Sequence, residues 1–323
     1  MWISHRSPRR DPRDTPRDTA YAFLSVDEAA YFRARVREAF AERGLEVTLQ
    51  PTGVSDSSGR HFALDDLAAV CHHEPRGRRG WPEAIHDHVG RLLRVVDGPS
   101  PLASLTPAEL LAALRPWVVA RDVIEPDAVH YTHARVVAPG LCEVLALDLP
   151  ESVLPLTDDA LAPLGDLAGL RRRALANLGA LPVGSHTVLH GAGGARFGVV
   201  TGESFFTSSR VLTADRLVRD LTGDELGPGG ALVALPNRYH LALCPVAAVG
   251  GAALLPTLHG MAAFAAANFT DAVGPVSPDV YWWHQGTLTR LVRQDGGEPR
   301  FTRDAEFEVL LMRLADDGAG GRF

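Results

Sequence analysis

Two stretches of the chain gather side chains able to do nucleophilic or acid–base chemistry. In SHTVLH, residues 185 to 190, His186 and His190 stand four apart, and on a strand that spacing puts both imidazoles on one face. In TGESFFTSSRVL, residues 201 to 212, Glu203, Ser204, Ser208, Ser209 and Arg210 follow within eight positions. A serine hydroxyl becomes a nucleophile only beside a base. Ser204, Ser208 or Ser209 with Glu203 and one of the two histidines would therefore supply the parts of a metal-independent hydrolase or transferase. The stretch lacks the Gly-x-Ser-x-Gly elbow, and its plainer reading is a strand end and a helix cap before ADRLV. Arg210 either holds a carboxylate or phosphate bidentately or fastens to Asp148 or Asp215.

A third candidate is aromatic. DVYWWHQGTLTRL, residues 279 to 291, reads as two short strands around HQG. Alternation sends Val280 and Trp282 to one face and Tyr281 and Trp283 to the other, so the tryptophans cannot form one platform. Trp282 is expected in the core, and Trp283 is the one available to a ligand.

Metal and cofactor chemistry find less support. CHHEP and IHDH place Cys71, His72, His73, His86 and His88 within eighteen residues. However, His86 and His88 diverge on a helix and Cys71 falls on its buried stripe. His186 and His190 lack an evident third ligand. No metal and no cofactor are assigned. GAGG, residues 191 to 194, lies between two strands, whereas a dinucleotide fingerprint joins a strand to a helix. All 32 basic residues are arginine. Without lysine the chain has no Schiff-base nucleophile, no P-loop and no kinase lysine.

The elements that must position these groups follow from periodicity. Ser25 and Glu28 have capping-box spacing ahead of Tyr31, Phe32, Val36, Ala39 and Phe40. LEVTLQP reads as a strand, HFALDDLAAVC leads into a second helix, and Trp81-Pro82 opens a third with Ile85, Val89, Leu92 and Val96 as its stripe. Thr106-Pro107 opens a short helix. Strands follow on either side of Pro139-Gly140, then one helical stretch from TDDAL to ANLGAL. Next come a hairpin across GAGG, the helix ADRLVRDL, a hairpin across Pro236-Asn237-Arg238 and the helix LLPTLHGMAAFAAANF. The segment PRRDPRDTPRDT has almost nothing to bury and predicts a disordered tail. The expected organisation is a tail over 1–20, an N-terminal lobe over 21–125, an α+β lobe over 126–314 and a second tail over 315–323. The two lobes are expected to associate, with mixed, largely antiparallel sheets and packed helices.

From Glu143 onward the pattern resembles the YtpQ-like family of bacterial proteins of unknown function. The matching positions are Asp148, Ala174, Asn177, Leu178, Phe206, Ser209, Arg210, Leu212, Pro236 and Gly286, over roughly residues 143 to 291. Phe206 stands where the family tends to have Tyr. The resemblance implies an architecture and brings no activity.

A net charge of −7 opposes general nucleic-acid binding. No apolar run reaches membrane-spanning length, the first residues have no signal-like apolar region, and three scattered cysteines fit a reducing compartment. The sequence therefore predicts a cytoplasmic binding or scaffolding module with an unknown protein or small-molecule partner. The alternative is the Ser/His/Glu hydrolase or transferase around residues 186 to 210. The candidate ligand contacts are Arg210, Ser209, Glu203, His186, His190 and Trp283.

Overall fold

The computed structural model describes residues 16–150 and 152–319. The protein is α+β: helices pack on three sheets, and every strand pairing among the described residues is antiparallel. The chain divides into two compact units between Gly98 and Pro99.

The first unit comprises α1 (Val26–Ala41), the meander β1 (Val47–Leu49), β2 (Gly53–Asp56) and β3 (His61–Ala63), and the helices α2 (Asp65–His72) and α3 (Trp81–Asp97). Ser25 and Glu28 close the reciprocal capping box that starts α1. Phe32, Val36 and Phe40 of α1 then share one core with Leu67 of α2 and Ile85 of α3. The buried row of α3 is Trp81, Ile85, Val89 and Leu93, and Val96 is exposed. Trp81 sets that phase by packing on Tyr31 and edge-on against Phe32, and steps of four from Trp81 reach Leu93.

Residues 16–20 of the expected N-terminal tail are held in the fold. Arg17 bridges to Ser25, and the Asp18 carboxylate accepts from the amides of Ala20 and Tyr21. Asp18 also pairs with Arg33 at 2.9 Å, and that hydrogen bond holds its carboxyl at about 2. Residues 16–20 of this charge-alternating segment are thus held because one of its acids meets an arginine on a packed helix. Residues 1–15 of the expected tail lie outside the described residues.

The second unit opens with α4 (Pro101–Ser104), α5 (Pro107–Ala113), β4 (Leu114–Ala120) and α6 (Arg121–Ile124). β5 (Arg135–Ala138), β6 (Leu141–Asp148) and β7 (Val153–Pro155) follow, and β6 pairs with β4, β5 and β7 in a four-stranded sheet. The boundary expected at residue 125 therefore moves to 98, since β4 pairs with β6 along its whole length, from Leu114↔Leu147 to Ala120↔Leu141. LRPWVVA does not read as a strand because it contains Pro116. Its register resolves the conflict: Arg121 N donates to Gly140 O, so odd-numbered residues bond to β6 and Pro116 sits where an N–H would point off the sheet edge.

The stretch read as one helix is two, α7 (Asp158–Leu161) and α8 (Leu167–Gly179). Gly165, at φ 138°, turns the chain between them, and the Asp166 carboxylate caps α8 by accepting from Gly169 N. β8 (Ser185–His190) and β9 (Arg196–Thr201) form the hairpin across GAGG. α9 (Ala214–Thr222), β10 (Ala231–Asn237), β11 (His240–Pro245), α10 (Gly250–Ala267), β12 (Val280–His284), β13 (Thr287–Asp295), β14 (Glu298–Phe301) and α11 (Ala305–Ala319) complete the unit. The seven-stranded sheet runs β14-β13-β12-β10-β11-β9-β8. α11 extends through residues 315–319 of the expected second tail, and residues 320–323 lie outside the described residues.

α10 is long and apolar enough to cross a membrane by length and composition. In this fold it lays Leu254, Leu258, Met261 and Ala265 on one face of the large sheet, in a core with Val280 and Trp282. Tyr281 and Trp283 join the core on the other face. The hairpin turns on two residues rather than three: Gln285 (φ 48°) and Gly286 (φ 79°) adopt the left-handed region that such a loop requires. His284 remains in the strand, stacked on Trp282 at 4.5 Å.

Trp282 is 2% exposed and its indole N–H donates to Gly229 O at 2.8 Å. Trp282→Ala is expected to cost about 3–5 kcal/mol in urea unfolding. An unchanged midpoint would place this side chain outside the core.

Candidate functional site

The serine and arginine candidates sit in the 3-10 turn Ser208–Thr213 and the loop before it. The side chains of Ser204, Ser209 and Arg210 are committed to local structure. The Ser204 hydroxyl accepts from Phe206 N at 3.1 Å, and the Ser209 hydroxyl, fully buried, accepts from Val118 N at 2.9 Å. Ser208 Oγ is buried without a hydrogen-bond partner. Arg210 is also buried, its guanidinium donating to Leu181 O, and burial lowers its pKa from the ordinary arginine value. Asp148, one of the acids expected to fasten it, faces Arg115 at 3.8 Å instead. Glu203 is exposed.

His186 and His190 share a face of the exposed strand β8, opposite Val200 and Arg196 of β9. Among the described residues, no hydrogen bond joins them to Ser204, Ser208 or Ser209. The structure therefore does not assemble the Ser/His/Glu set. The buried Cys71 and Cys244 thiols are pushed by burial up to about 12 and about 11, so both are protonated at neutral pH.

The turn that holds Ser209 and Arg210 is a joint. The Asn177 amide of α8 donates to both Leu111 O and Leu114 O, at 2.8 and 2.9 Å, closing the passage from α5 into β4. Phe206 packs with Leu178 of α8 and Ala146 of β6. Asn177, Leu178, Phe206, Ser209 and Arg210 are thus a fold-bearing cluster around β4.

A polar network that sequence reasoning missed crosses the four-stranded sheet. Glu143, 1% exposed between the apolar neighbours Cys142 and Val144, receives Arg135 on one side and Arg171 of α8, at 3.5 Å, on the other. Arg171 also donates to His133 O. His133 Nδ1 pairs with Asp158 Oδ1 at 2.7 Å, and Leu145 N donates to its Nε2 at 3.4 Å. Burial pushes the Asp158 carboxyl up. Hydrogen bonds from Thr132 and His133, through side chains and amides alike, outweigh it and hold the carboxyl well below the usual carboxylate range. The available signal was an acid inside the run LCEVLALDL, since a buried carboxylate requires partners.

Two clefts open beside this network. One, of about 290 Å³, is lined by His133, Asp158, Leu161, Leu167 and Leu170. The other, of about 210 Å³, lies between β5 and the β12–β13 hairpin, with Arg135, Val137, Leu212, Trp283 and Leu288 on its walls. A broader concavity of about 520 Å³ in the first unit runs along α1, far in sequence from every candidate, and its charged pair Arg35 and Glu38 is a helical i,i+3 ion pair. Of the sequence candidates, Trp283 alone lines the Arg135 cleft.

Comparison with models of protein families, with curated proteins and with solved structures returns no match.

Ser209→Ala is expected to leave Val118 N–H buried without an acceptor and to cost about 1–3 kcal/mol in urea unfolding; full retention of stability would show that another acceptor replaces the hydroxyl. Asp158→Asn tests the network by pH. A carboxyl held low in the folded state contributes stability above its unfolded pKa, about 3.9, and loses it as pH falls toward the folded value. The variant should therefore melt below the parent protein at pH 7, and the gap should narrow below about pH 4. A gap independent of pH would remove the charge from the explanation.

Proposed function

We propose that the chain is a non-catalytic binding or scaffolding module of the bacterial cytoplasm, whose ligand is held in the Arg135–Trp283 cleft. One observation carries this reading. The groups that a hydrolase would need around residues 186 to 210 are engaged in backbone hydrogen bonds or stand apart, while the Arg135 cleft combines an aromatic wall with a cation still half exposed. Arg135 and Arg171 share the single carboxylate of Glu143, so that trio retains one formal positive charge. A flat apolar group against Trp283 with an anionic group toward Arg135 matches this chemistry. The resemblance to the YtpQ-like family is part of the proposal. Most of the residues that carry it are buried packing or joint residues, which supports a shared architecture with a ligand site free to differ.

Titration with a small aromatic carboxylate, followed by tryptophan fluorescence, tests the site. Saturable quenching is expected, and Trp283→Leu should weaken it by at least about tenfold. A probe that leaves the emission unchanged would remove the cleft from consideration. Ester hydrolysis by the full chain, abolished in Ser208→Ala, would overturn the binding reading in favour of the hydrolase.

A further inference from the structure

The two ends of the seven-stranded sheet differ. β14 presents Glu298, Pro299 and Arg300, the charges and proline that block strand addition. β8 has no proline, no bulge and no fixed charge, and all six of its residues are exposed. In the four-stranded sheet, the β4 edge carries Pro116 and has Val118 N and Leu114 O paired with Ser209 and Asn177.

The register of β8 identifies which of its backbone groups face outward. Gly191 N donates to Ala195 O in line with the β8–β9 pairing, and Gly202 N donates to Tyr239 O in line with β9–β11. Both place Ser185, Thr187 and Leu189 in the bonded pairs with β9. His186, Val188 and His190 therefore direct their N–H and C=O groups off the sheet, and among the described residues no partner receives them.

We propose that β8 pairs antiparallel with β8 of a second copy of this chain, with the two-fold axis at Val188. Outward groups bond only to outward groups, and a perpendicular dyad keeps each face continuous. Of the registers this allows, the one centred on Val188 uses all three outward residues of each strand: Val188 meets Val188, and His186 meets His190. A second copy fits as occupant, because SHTVLH brings no fixed charge to the dyad and self-pairing therefore sets no like charges opposite one another. Val188 and Leu189, 40% and 37% exposed, lie on opposite faces and are covered together. Six residues a side fall well below the roughly 800 Å² per partner of a standard interface, so the association is weak, about micromolar or above.

Sedimentation equilibrium of the full chain up to about 100 µM is expected to carry the mass from 34.6 kDa toward twice that value. Hydrogen exchange across the same series should show new protection at the amides of His186, Val188 and His190, and unchanged protection at Thr187 and Leu189. Val188→Lys, which sets like charges opposite one another at an exposed site, should raise the dissociation constant by about fivefold or more, whereas Glu298→Lys on β14 should leave it unchanged. A single 34.6 kDa species throughout overturns the proposal. So does a dimer protected elsewhere, or one that Val188→Lys leaves intact.

Discussion

A strand that ends a sheet carries a row of N–H and C=O groups, and where the fold buries that row every group must find a partner or be absent. At β4 the even-numbered residues face outward, and three different devices serve three of their groups. Ser209 accepts from Val118 N, Asn177 donates to Leu114 O, and Pro116 has no N–H to satisfy. The elements that bring those side chains are α8 and the turn at Ser208–Thr213, so the helix, the turn and the strand are fixed relative to one another by the backbone of one edge. Phe206, Leu178 and Ala146 then fill the volume beneath.

This constraint alters the chemistry of the candidates. Ser209 and Arg210 lie in the stretch that most resembles a nucleophile-bearing segment, and burial with backbone partners leaves neither presented to a ligand. Arg210 also shows a consequence of building a chain without lysine. A buried cation at this joint has to be a guanidinium, whose planar donors reach Leu181 O and whose charge persists although burial lowers its pKa. Arg135 differs from Arg210: although paired with Glu143, it stays half exposed on the wall of the cleft that Trp283 also lines.

Periodicity made most of the elements legible. The capping box at Ser25 and the helix start at Thr106-Pro107 are in place, and alternation at DVYWW assigned Trp282 and Tyr281 to opposite faces, each of which packs into a core. What stayed hidden depends on long-range pairing. β4 was concealed by Pro116, whose permissibility is decided by the direction of one N–H in a register set by β6. The order of residues 16–20 depends on Arg33, fifteen residues from Asp18. Local pattern carries no information about either partner. The site was legible only at Trp283, because an alternating strand predicts which face a side chain takes but not which charged group a neighbouring sheet brings to it.

Glu143 shows why that second step is difficult. It lies among buried apolar neighbours of its strand, where an isolated carboxylate would be strongly unfavourable. Two arginines from different elements, one on β5 and one on α8, make the position tenable. Removing either would leave the carboxylate with a single cation at the sheet's centre, a more costly state than replacing the whole trio by apolar residues of matching shape. The trio is tenable because the carboxylate never stands unpaired, and the same pairing leaves the Arg135 side chain half exposed.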